Sequence, residues 1–518
     1  MTSPRTTATT TGALHRWRER YAAQDQDAGI AMVLAVAIIV FATLAVATLV
    51  TVAIAENGMS GRERQRAVSI ASAEGQVDHL VSRIHYAPLS TLQEGVLCGA
   101  ITPFVTDVGP DELTIDSRIT FYDAAGAVVA CSAVRTGAVE AATAAVRATS
   151  TSTPVAQQAP AVRTFETVVR LKLQTDLNKA VFGNSSVVIN NSLTVIAGSA
   201  GSQNGDVYSN GNLSCKGYVY GSIYSQGTTT LEHDCRYVAG NVMSVGNVLV
   251  QPNDKTVMGD ITSSAGSIAL NNLGTSSGRV LNGKARAWGT VTGDVCSAAA
   301  VLDKCHGYQV VDAPPGAPFP QLLGDSSWTS PVSAGGAGYT QVTFPSCDAG
   351  YDQSGSLARW LVTHGTTLTA PVLIRMPASC VVNFSNMSGH EIVLAQDVAI
   401  WAASGFSING QPTFSGLSGS TKNLYLMQDY ATPSCSRTGI EINNGLIART
   451  NIRVLMYTPH KFYSPSGTSM INGQIYAGCA VEMNNSMNLT YDSLPVWGVQ
   501  NKDALSYKVE IVAKRETA

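Results

Sequence analysis

The chain has 518 residues, a formal net charge of −3 and a charged fraction of 13%. Soluble domains usually contain about 25% charged residues, so this sequence is poor in charge. It contains neither a basic stripe nor a basic patch interleaved with aromatic residues, and nucleic acid is therefore not an expected partner. Glycine, serine, threonine and asparagine are frequent, which disfavours helices and favours β-structure with many turns.

An uncharged apolar run without proline covers residues 30–55. A helix of that length measures roughly 39 Å, and the hydrocarbon core of a bilayer is about 30 Å thick. A secretory signal has a shorter apolar region of about 7–15 residues. Arginines precede the run, and a basic flank tends to stay in the cytoplasm. The sequence therefore predicts a single-pass membrane protein whose C-terminal part lies outside the cytoplasm.

The pattern of residues 56–84 predicts that the helix continues with one apolar face. Charged side chains occupy the opposite face, and Pro88 marks the latest plausible end of the helix. The apolar positions recur at helical spacing and are Ile70, Ala73, Val77, Leu80 and Ile84.

A glycine followed by an apolar helix and an amphipathic continuation resembles the layout of type IV pilins and pseudopilins. The segments MSG, RERQR and ASAEG, within residues 59–75, are similar to the corresponding places in the N-terminal module of PilX-like minor pilins. The resemblance implies that a prepilin peptidase removes the leader between Gly29 and Ile30. It also implies other pilin or pseudopilin subunits as partners through the N-terminal helix. The other interpretation is an uncut signal anchor.

The sequence departs from that family at the fifth residue after the expected cut, where most pilins have glutamate and this chain has Leu34. The resemblance implies that such a glutamate pairs with the freed amine of a neighbouring subunit, because a buried carboxylate without a partner is costly. A subunit at the filament tip has no subunit above it to supply that amine. Leu34 therefore favours a tip or priming subunit with a surface-contact role.

Residues 89–180 are expected to form a small strand-rich unit. The segments ELTIDSRITFYD, AVVACSAV and VRTFETVVRLKLQ alternate in the manner of strands. Residues 140–160, rich in alanine, threonine, serine and proline, are expected to form a linker or an exposed loop.

A repeat then begins, in which each unit has glycine, a small polar residue, Val or Ile, any residue, and serine. Its units start at residues 205, 221, 240, 259 and 293, which are 16, 19, 19 and 34 residues apart. Stacked coils of this kind give a continuous core that one coil lacks. The repeat predicts a β-solenoid with inward residues Val207, Ile223, Val242, Ile261 and Val295.

The last third of the chain resembles the C-terminal β-helical segment of PilX-like proteins. The matching places are Tyr457-Thr458-Pro459, the turn from Gly473 to Ala477, Asn484-Asn485 and Tyr491-Asp492. The expected fold is mainly β, with a long N-terminal pilin-type transmembrane and amphipathic helix, a small mixed β unit and an irregular β-solenoid. The expected segments are a leader (1–29), the helix (30–88), the small unit (89–180), solenoid repeats (181–310), a Pro/Gly-rich outer loop (311–343) and a continuation of the solenoid (344–518).

The ten cysteines all follow the apolar run, and none forms a C-x-x-C pair. An even, scattered set in an exported chain indicates disulfides, although sequence alone does not determine connectivity. The spacing of Cys215 and Cys235 is close to one coil, which supports that pair. Pairing in chain order predicts Cys98–Cys131, Cys215–Cys235, Cys296–Cys305, Cys347–Cys380 and Cys435–Cys479.

No catalytic motif, metal-ligand spacing or cofactor motif is present, so we expect neither an enzyme nor a cofactor or metal. Asp206, Asp260 and Asp294 recur at one corner, where a preference for short polar residues explains them without a site. The alternative function is a membrane-tethered β-helix enzyme or binding protein acting on polysaccharide. A surface polysaccharide or a host receptor is a further expected partner class. Four tyrosines form either an exposed strip for sugars or, as we favour, an aromatic ladder: Tyr208, Tyr218, Tyr220 and Tyr224.

Overall fold

The structure is a computed structural model that describes an N-terminal helix on an antiparallel sheet and a much larger stack of parallel strands. The residues that it describes are 28–85, 87–108, 111–153, 160–174, 177–197, 205–253, 255–271, 280–293, 296, 304–314, 316–332, 336–345, 347, 350–353, 355–417, 419–502 and 505–517.

The N-terminal helix spans Ala28–Ile84 and packs on the antiparallel sheet. Ala73, Val77, Leu80 and Ile84, which the sequence places on one apolar face, are all buried. The sheet covers them with its own buried side chains, so the two elements share one core. In spatial order the strands of this sheet are Gly99–Val108, Asp111–Tyr122, Thr143–Thr153, Ala161–Gln174 and Ser506–Thr517, with Val128–Val129 paired to the second.

The prediction of a transmembrane helix is wrong, because the part of the chain that the structure describes contains no helix long and apolar enough to cross a membrane. The expected fold class and the expected single-pass membrane location are corrected on the same ground. The apolar run that predicted the membrane span is residues 30–55, and most of its side chains lie outside the described residues. From Glu63 onward the described helix is apolar on one side only, and the sheet covers that side. The predicted leader, residues 1–29, lies almost wholly outside the described residues.

Two local predictions in the small unit are also wrong. The expected loop at 140–160 contains the strand Thr143–Thr153, which lies inside the sheet between two neighbours. Its inward residues include Ala144 and Ala148, whose small side chains make the alternation weak in sequence. The segment AVVACSAV contains the short helix Cys131–Arg135, because its apolar residues do not alternate strictly.

The remaining strands of the described ranges, 31 in one sheet, form a stack of coils with three faces. The described pairings between coils are parallel, so equivalent residues of neighbouring coils lie about 4.8 Å apart. Inward residues of all three faces form one continuous core. Outside the coils lie the helices Ser326–Thr329 and Leu357–His364 and the 3-10 turns Leu89–Thr91 and Gly365–Thr367.

The strands of each face follow one another in space from the end of the stack near residue 340 to the end near residue 306. Face one comprises Thr340–Thr343, Val372–Arg375, Val398–Trp401, Lys422–Met427, Ile452–Thr458, Ser469–Ala477, Val181–Gly183, Val207–Ser209, Ile223–Ser225, Val242–Ser244, Ile261–Ser263, Ala285–Ala287 and Cys305–His306. Face two comprises Val382–Asn383, Phe406–Asn409, Thr438–Asn443, Lys461–Ser464, Ala480–Met483, Ser186–Ile189, Asn212–Val219, Thr229–Val238, Val248–Val250, Ile268–Leu270 and Val291–Gly293. Face three comprises Glu391–Leu394, Thr413–Gly416, Ile447–Ala448, Met487–Tyr491, Leu193–Ala197, Thr256–Val257 and Val280–Leu281, together with the long strands at 469, 212 and 229, which turn a corner.

The predicted inward column is confirmed for four of its five members. Val207, Ile223, Val242 and Ile261 are in-register partners in successive coils, and all are fully buried. The next partner is Ala285 rather than Val295, which lies outside the described residues. This coil departs from the repeat pattern, because it has Gly-Lys-Ala in place of glycine, a small polar residue and Val or Ile.

The order of the coils in space differs from their order in the chain. The coil at 181–197 stacks directly on the coil at 475–491, and we call this contact the seam. From the seam, residues 181–306 build one half of the stack outward. Residues 340–491 build the other half, starting from its far end and returning to the seam.

A proline-rich strap, the described residues within 307–339, connects the two far ends. It runs outside face one and covers a column of aromatic side chains. Thr340–Thr343, which the predicted loop of 311–343 includes, instead form a strand of face one. Tyr208 donates its hydroxyl hydrogen to Asn210 and accepts the N–H of Ala317 at 2.8 Å. Further along the strap, Trp328 packs edge-on against Tyr425.

The last strand, Ser506–Thr517, does not continue the coils as predicted for residues 344–518. It pairs antiparallel with Ala161–Gln174 at the edge of the small sheet. The chain leaves the coil stack after residue 491, close to residue 181, where it entered the stack. The last strand therefore reaches the edge strand Ala161–Gln174 of the small sheet. The chain segments that enter and leave the coil stack at the seam therefore both join the N-terminal unit.

Candidate functional site

The residues of the predicted processing site lie in the N-terminal helix. The backbone of Gly29, Ile30 and Leu34 is helical, but their side chains lie outside the described residues. The structure therefore describes no contact of these side chains, and the cleavage and filament roles stay predictions.

Among the side chains that the structure describes in the same helix, four large apolar ones are well exposed. Val40, Phe41, Leu44 and Val46 are 50%, 78%, 60% and 59% exposed. Farther along the helix, Gln65 donates a hydrogen bond of 2.7 Å to Ser152 of the antiparallel sheet. The exposed apolar side chains from Val40 to Val46 mark a surface whose burial against another molecule is favourable.

Each of the ten cysteines is in a disulfide, and the pairing is the one predicted from chain order. The pair Cys215–Cys235 lies inside the core, where both residues are almost fully buried. It joins two successive coils, next to a bulge in their pairing. The residues that flank these two cysteines, Lys216, Asp234 and Arg236, point outward and are brought together on the surface by the bridge. The sequence analysis did not predict this grouping.

The recurring aspartates belong to a structural ladder at the start of face one. Asp206 accepts the N–H of Ser222 at 2.8 Å, and Asn241 in turn accepts the N–H of Asp260 at 2.8 Å. Asp260 accepts the N–H of Lys284 at 2.8 Å. Short polar side chains at this corner thus satisfy backbone donors of the next coil. Asp294 lies outside the described residues.

The four tyrosines singled out in the sequence divide between two faces. Tyr208 and Tyr224 belong to the column beneath the strap, where Tyr476, Phe182 and Tyr208 stack with ring centroids 5.2–5.3 Å apart. Burial raises the pKa of Tyr208 to about 12, so its hydroxyl stays protonated as a donor. The predicted ladder is therefore confirmed for these two tyrosines.

The other two tyrosines lie on face three, away from the strap. Tyr218 is half-buried and in register with Tyr237 of the next coil. Tyr220 is 41% exposed, and its ring lies 5.1 Å from that of Tyr237. These three rings form an open aromatic surface, so the ladder beneath the strap does not include Tyr218 and Tyr220.

A cleft of about 310 Å³ lies beside this aromatic surface, and we call it the corner cleft. It crosses three successive coils, each of which supplies a short segment at the junction of faces two and three. Its lining residues are Asn190, Asn191, Ser192, Lys216, Gly217, Tyr218, Asp234 and Arg236.

The charges of the corner cleft are only partly neutralised. Lys216 donates a hydrogen bond of 3.0 Å to the carbonyl oxygen of Asn190, which carries no full charge. Asp234 and Arg236 are exposed, and within the described ranges neither forms an ion pair. Two cationic groups therefore face one carboxylate.

The shape of the corner cleft depends on the backbone beneath it. Gly217 has a φ of +109°, and a Cβ atom there would overlap the carbonyl oxygen of Leu193. Only glycine allows the two coils to approach so closely. On the inner side, the Cys215–Cys235 disulfide links the two coils that carry Lys216, Asp234 and Arg236. The cleft is thus held by covalent and steric constraints.

A solved structure that this chain resembles is the competence-associated pilin ComZ from Thermus thermophilus. The match is 11% identical, has a TM-score of 0.28 and covers 80% of this chain and 87% of that one. No family model and no curated protein matches the sequence. A likeness this distant does not bear on function.

Proposed function

We propose that this chain is a pilin-like minor subunit of a type IV pilus or related filament, with its coil stack displayed at or near the tip. The exposed apolar residues of the N-terminal helix carry the proposal. In this function they pack against the N-terminal helices of neighbouring pilin or pseudopilin subunits. The role is structural and adhesive rather than catalytic.

The helix supports this assignment because its C-terminal part is covered by the rest of the chain, whereas apolar side chains of its earlier part are exposed. Its C-terminal part is covered by the antiparallel sheet and tied to the last strand, where Lys514 contacts Glu74 at 2.7 Å and Asp78 at 3.0 Å. Phe41 and Leu44, in the earlier part, remain exposed to solvent. Burying such side chains contributes about 1.5–3 kcal/mol each. Association through the helix is therefore favourable.

Leu34 and the coil stack support a position at the tip. A leucine carries no carboxylate, so it leaves the freed amine of a neighbour unpaired inside a filament shaft. The stack also holds most of the chain, from about residue 181 to residue 491, and is bulky for a tightly packed shaft. At a tip neither property is unfavourable, and a tip subunit is in place to prime assembly.

Immunogold labelling of filaments with subunit counting tests the proposal. We expect sparse label at filament ends and few filaments in a deletion strain. Even label along the shaft would contradict the tip position, and a normal filament number in the deletion strain would contradict priming. The variant Phe41→Glu should fold but stay out of filaments. Val381→Glu, at a coil residue that is 48% exposed, is the matched control and should be incorporated normally.

A further inference from the structure

We propose that the corner cleft binds an acidic oligosaccharide, one whose sugar rings carry carboxylate groups. The inference rests on the proposed function, because a displayed coil stack needs a surface that makes contact. The lining segments come from three coils and end on the open aromatic surface of Tyr218, Tyr220 and Tyr237. The volume of about 310 Å³ lies at the small end of ligand clefts, which suits a short piece of a longer polymer.

The aromatic side of the cleft suits a sugar ring. Tyr218 presents a half-buried ring at the cleft wall, and Tyr237 extends the same surface by one coil. A sugar ring has apolar C–H groups on its faces and hydroxyls around its edge. The tyrosine rings provide the apolar contact, and their hydroxyls provide hydrogen bonds.

The polar side of the cleft suits the edge of the same ring. Asn190 and Asn191 each offer an amide with donors and an acceptor, and the Asp234 carboxylate offers two acceptor oxygens. Ser192 adds a hydroxyl. The Asn191 side chain already accepts the N–H of Ser192 at 2.8 Å, which orients its amide. These groups match sugar hydroxyls, which both donate and accept.

The charges favour a carboxylate on the ligand. Arg236 has no ion-pair partner among the described residues, and the Lys216 ammonium contacts only a carbonyl oxygen among the described hydrogen bonds. A guanidinium binds a carboxylate through two parallel hydrogen bonds, which is stronger than any pairing with a neutral hydroxyl. Lys216 and Arg236 together exceed Asp234 by one positive charge, and a single ligand carboxylate bound in the cleft neutralises it.

The same charges disfavour a nucleic acid. A polynucleotide carries one phosphate per residue, and its binding requires several cations along its path. Here Asp234 lines the same cleft as the two cationic residues and repels phosphate. The whole chain also has a formal net charge of −3.

Calorimetric titration of the purified chain tests the inference. The probes are short oligogalacturonates, the same oligomers with methyl-esterified carboxylates, and a single-stranded oligonucleotide. We expect binding of the acid form and at least about tenfold weaker binding of the ester and of the oligonucleotide. Equal binding of the acid and ester forms, no binding of the acid form, or tighter binding of the oligonucleotide would overturn the proposal.

Three variants locate the site. Arg236→Gln and Tyr218→Ala should each weaken binding of the acid form about tenfold or more, whereas Tyr218→Phe should retain most of it. Arg449→Gln, at an exposed arginine on the other half of the stack, is the matched control. If Arg236→Gln fails to fold, the wild-type protein is treated with an arginine-selective reagent in the presence and absence of the acid form. Bound acid oligomer should protect Arg236 from modification and should compete with a labelled copy of itself. Modification of Arg236 that the oligomer does not reduce would contradict the site. These measurements need no filament, so they fail or succeed independently of the labelling experiment.

Discussion

Val187 and Val481 are in-register partners on adjacent parallel strands, although they lie 294 residues apart in the chain. The same offset holds for all three strands of the two coils at the seam. Both coils even share the corner sequence Asn-Asn-Ser, at 190–192 and 484–486. The coil at 181–197 therefore gains the neighbour on its other side only when the last coil in the chain has formed.

Shortening an inward side chain at the seam should destabilise the whole stack. Leu193 is fully buried and in register with Met487 of the last coil. Leu193→Ala should lower the free energy of unfolding by about 2–5 kcal/mol, because it leaves a cavity between the two halves. Ile196→Ala, three residues away and 43% exposed, is the control and should cost less than about 1 kcal/mol. Urea unfolding measures both, and equal losses would contradict a tightly packed seam.

Two glycine substitutions should have opposite signs. A Cβ atom at Gly221 would overlap the backbone of Gly205 in the neighbouring coil, so Gly221→Ala should cost about 1–3 kcal/mol. Gly75 lies in the N-terminal helix with no atom within 4 Å of an added Cβ. Gly75→Ala should therefore stabilise by up to about 1 kcal/mol through helix propensity. Thermal unfolding distinguishes them, and a stabilising Gly221→Ala would show that the coils are less closely stacked.

Removing the core disulfide should destabilise the first half of the stack. The pair Cys215–Cys235 closes a loop with a sequence separation of 20, and its double serine variant should lose about 2–4 kcal/mol. The equivalent variant at Cys296–Cys305, with a separation of 9, should lose less because its loop is shorter. Non-reducing peptide mapping checks the five pairs directly. A peptide that joins Cys98 to a C-terminal cysteine would refute the pairing.

Acidification should loosen the contact between the helix and the last strand. The Nδ1 atom of His85 accepts the N–H of Val509 at 3.1 Å, which requires a neutral ring. Burial, and secondarily the charge of Lys508, lowers the pKa of His85 below its usual value. The unfolded chain then binds the proton more readily, so stability from this group is present above about pH 6.5 and is lost as the pH falls through the lowered pKa.

Urea unfolding between about pH 8 and about pH 5 checks this pH dependence. His85→Asn keeps an acceptor near the same place but does not titrate, so its stability should depend less on pH. An unchanged pH profile in that variant would assign the effect to another group.

The mature chain should begin at Ile30. The expectation comes from the glycine that precedes the apolar helix, and N-terminal analysis of the protein from native filaments checks it. Gly29→Leu should block the cut by placing a bulky side chain at the bond, whereas Ala28→Leu, one residue earlier, should be tolerated better. Detection of Met1 or Thr2 on the filament-bound chain would remove the processing assignment.

The sequence alone predicted features that depend on local pattern. The Gly-x-Val/Ile-x-Ser units placed Val207 and Ile223 inward, since alternation along a strand determines which side chains face the core. The helical spacing of Ala73, Val77 and Leu80 likewise identified the face that the sheet covers. Cysteine order matched the pairing because each bridge links segments that are close in the chain.

The tertiary structure decided the features that depend on which coils become neighbours. Parallel stacking uses backbone hydrogen bonds that are the same for every coil, so sequence pattern does not reveal that Val187 meets Val481. Tyr208 and Tyr218 lie on different faces because of where the chain turns each corner. The strap buries Tyr208 and leaves Tyr218 at the open surface. The corner cleft follows from that same stacking, because Asn190, Lys216 and Arg236 share no motif and meet only when three coils are in register.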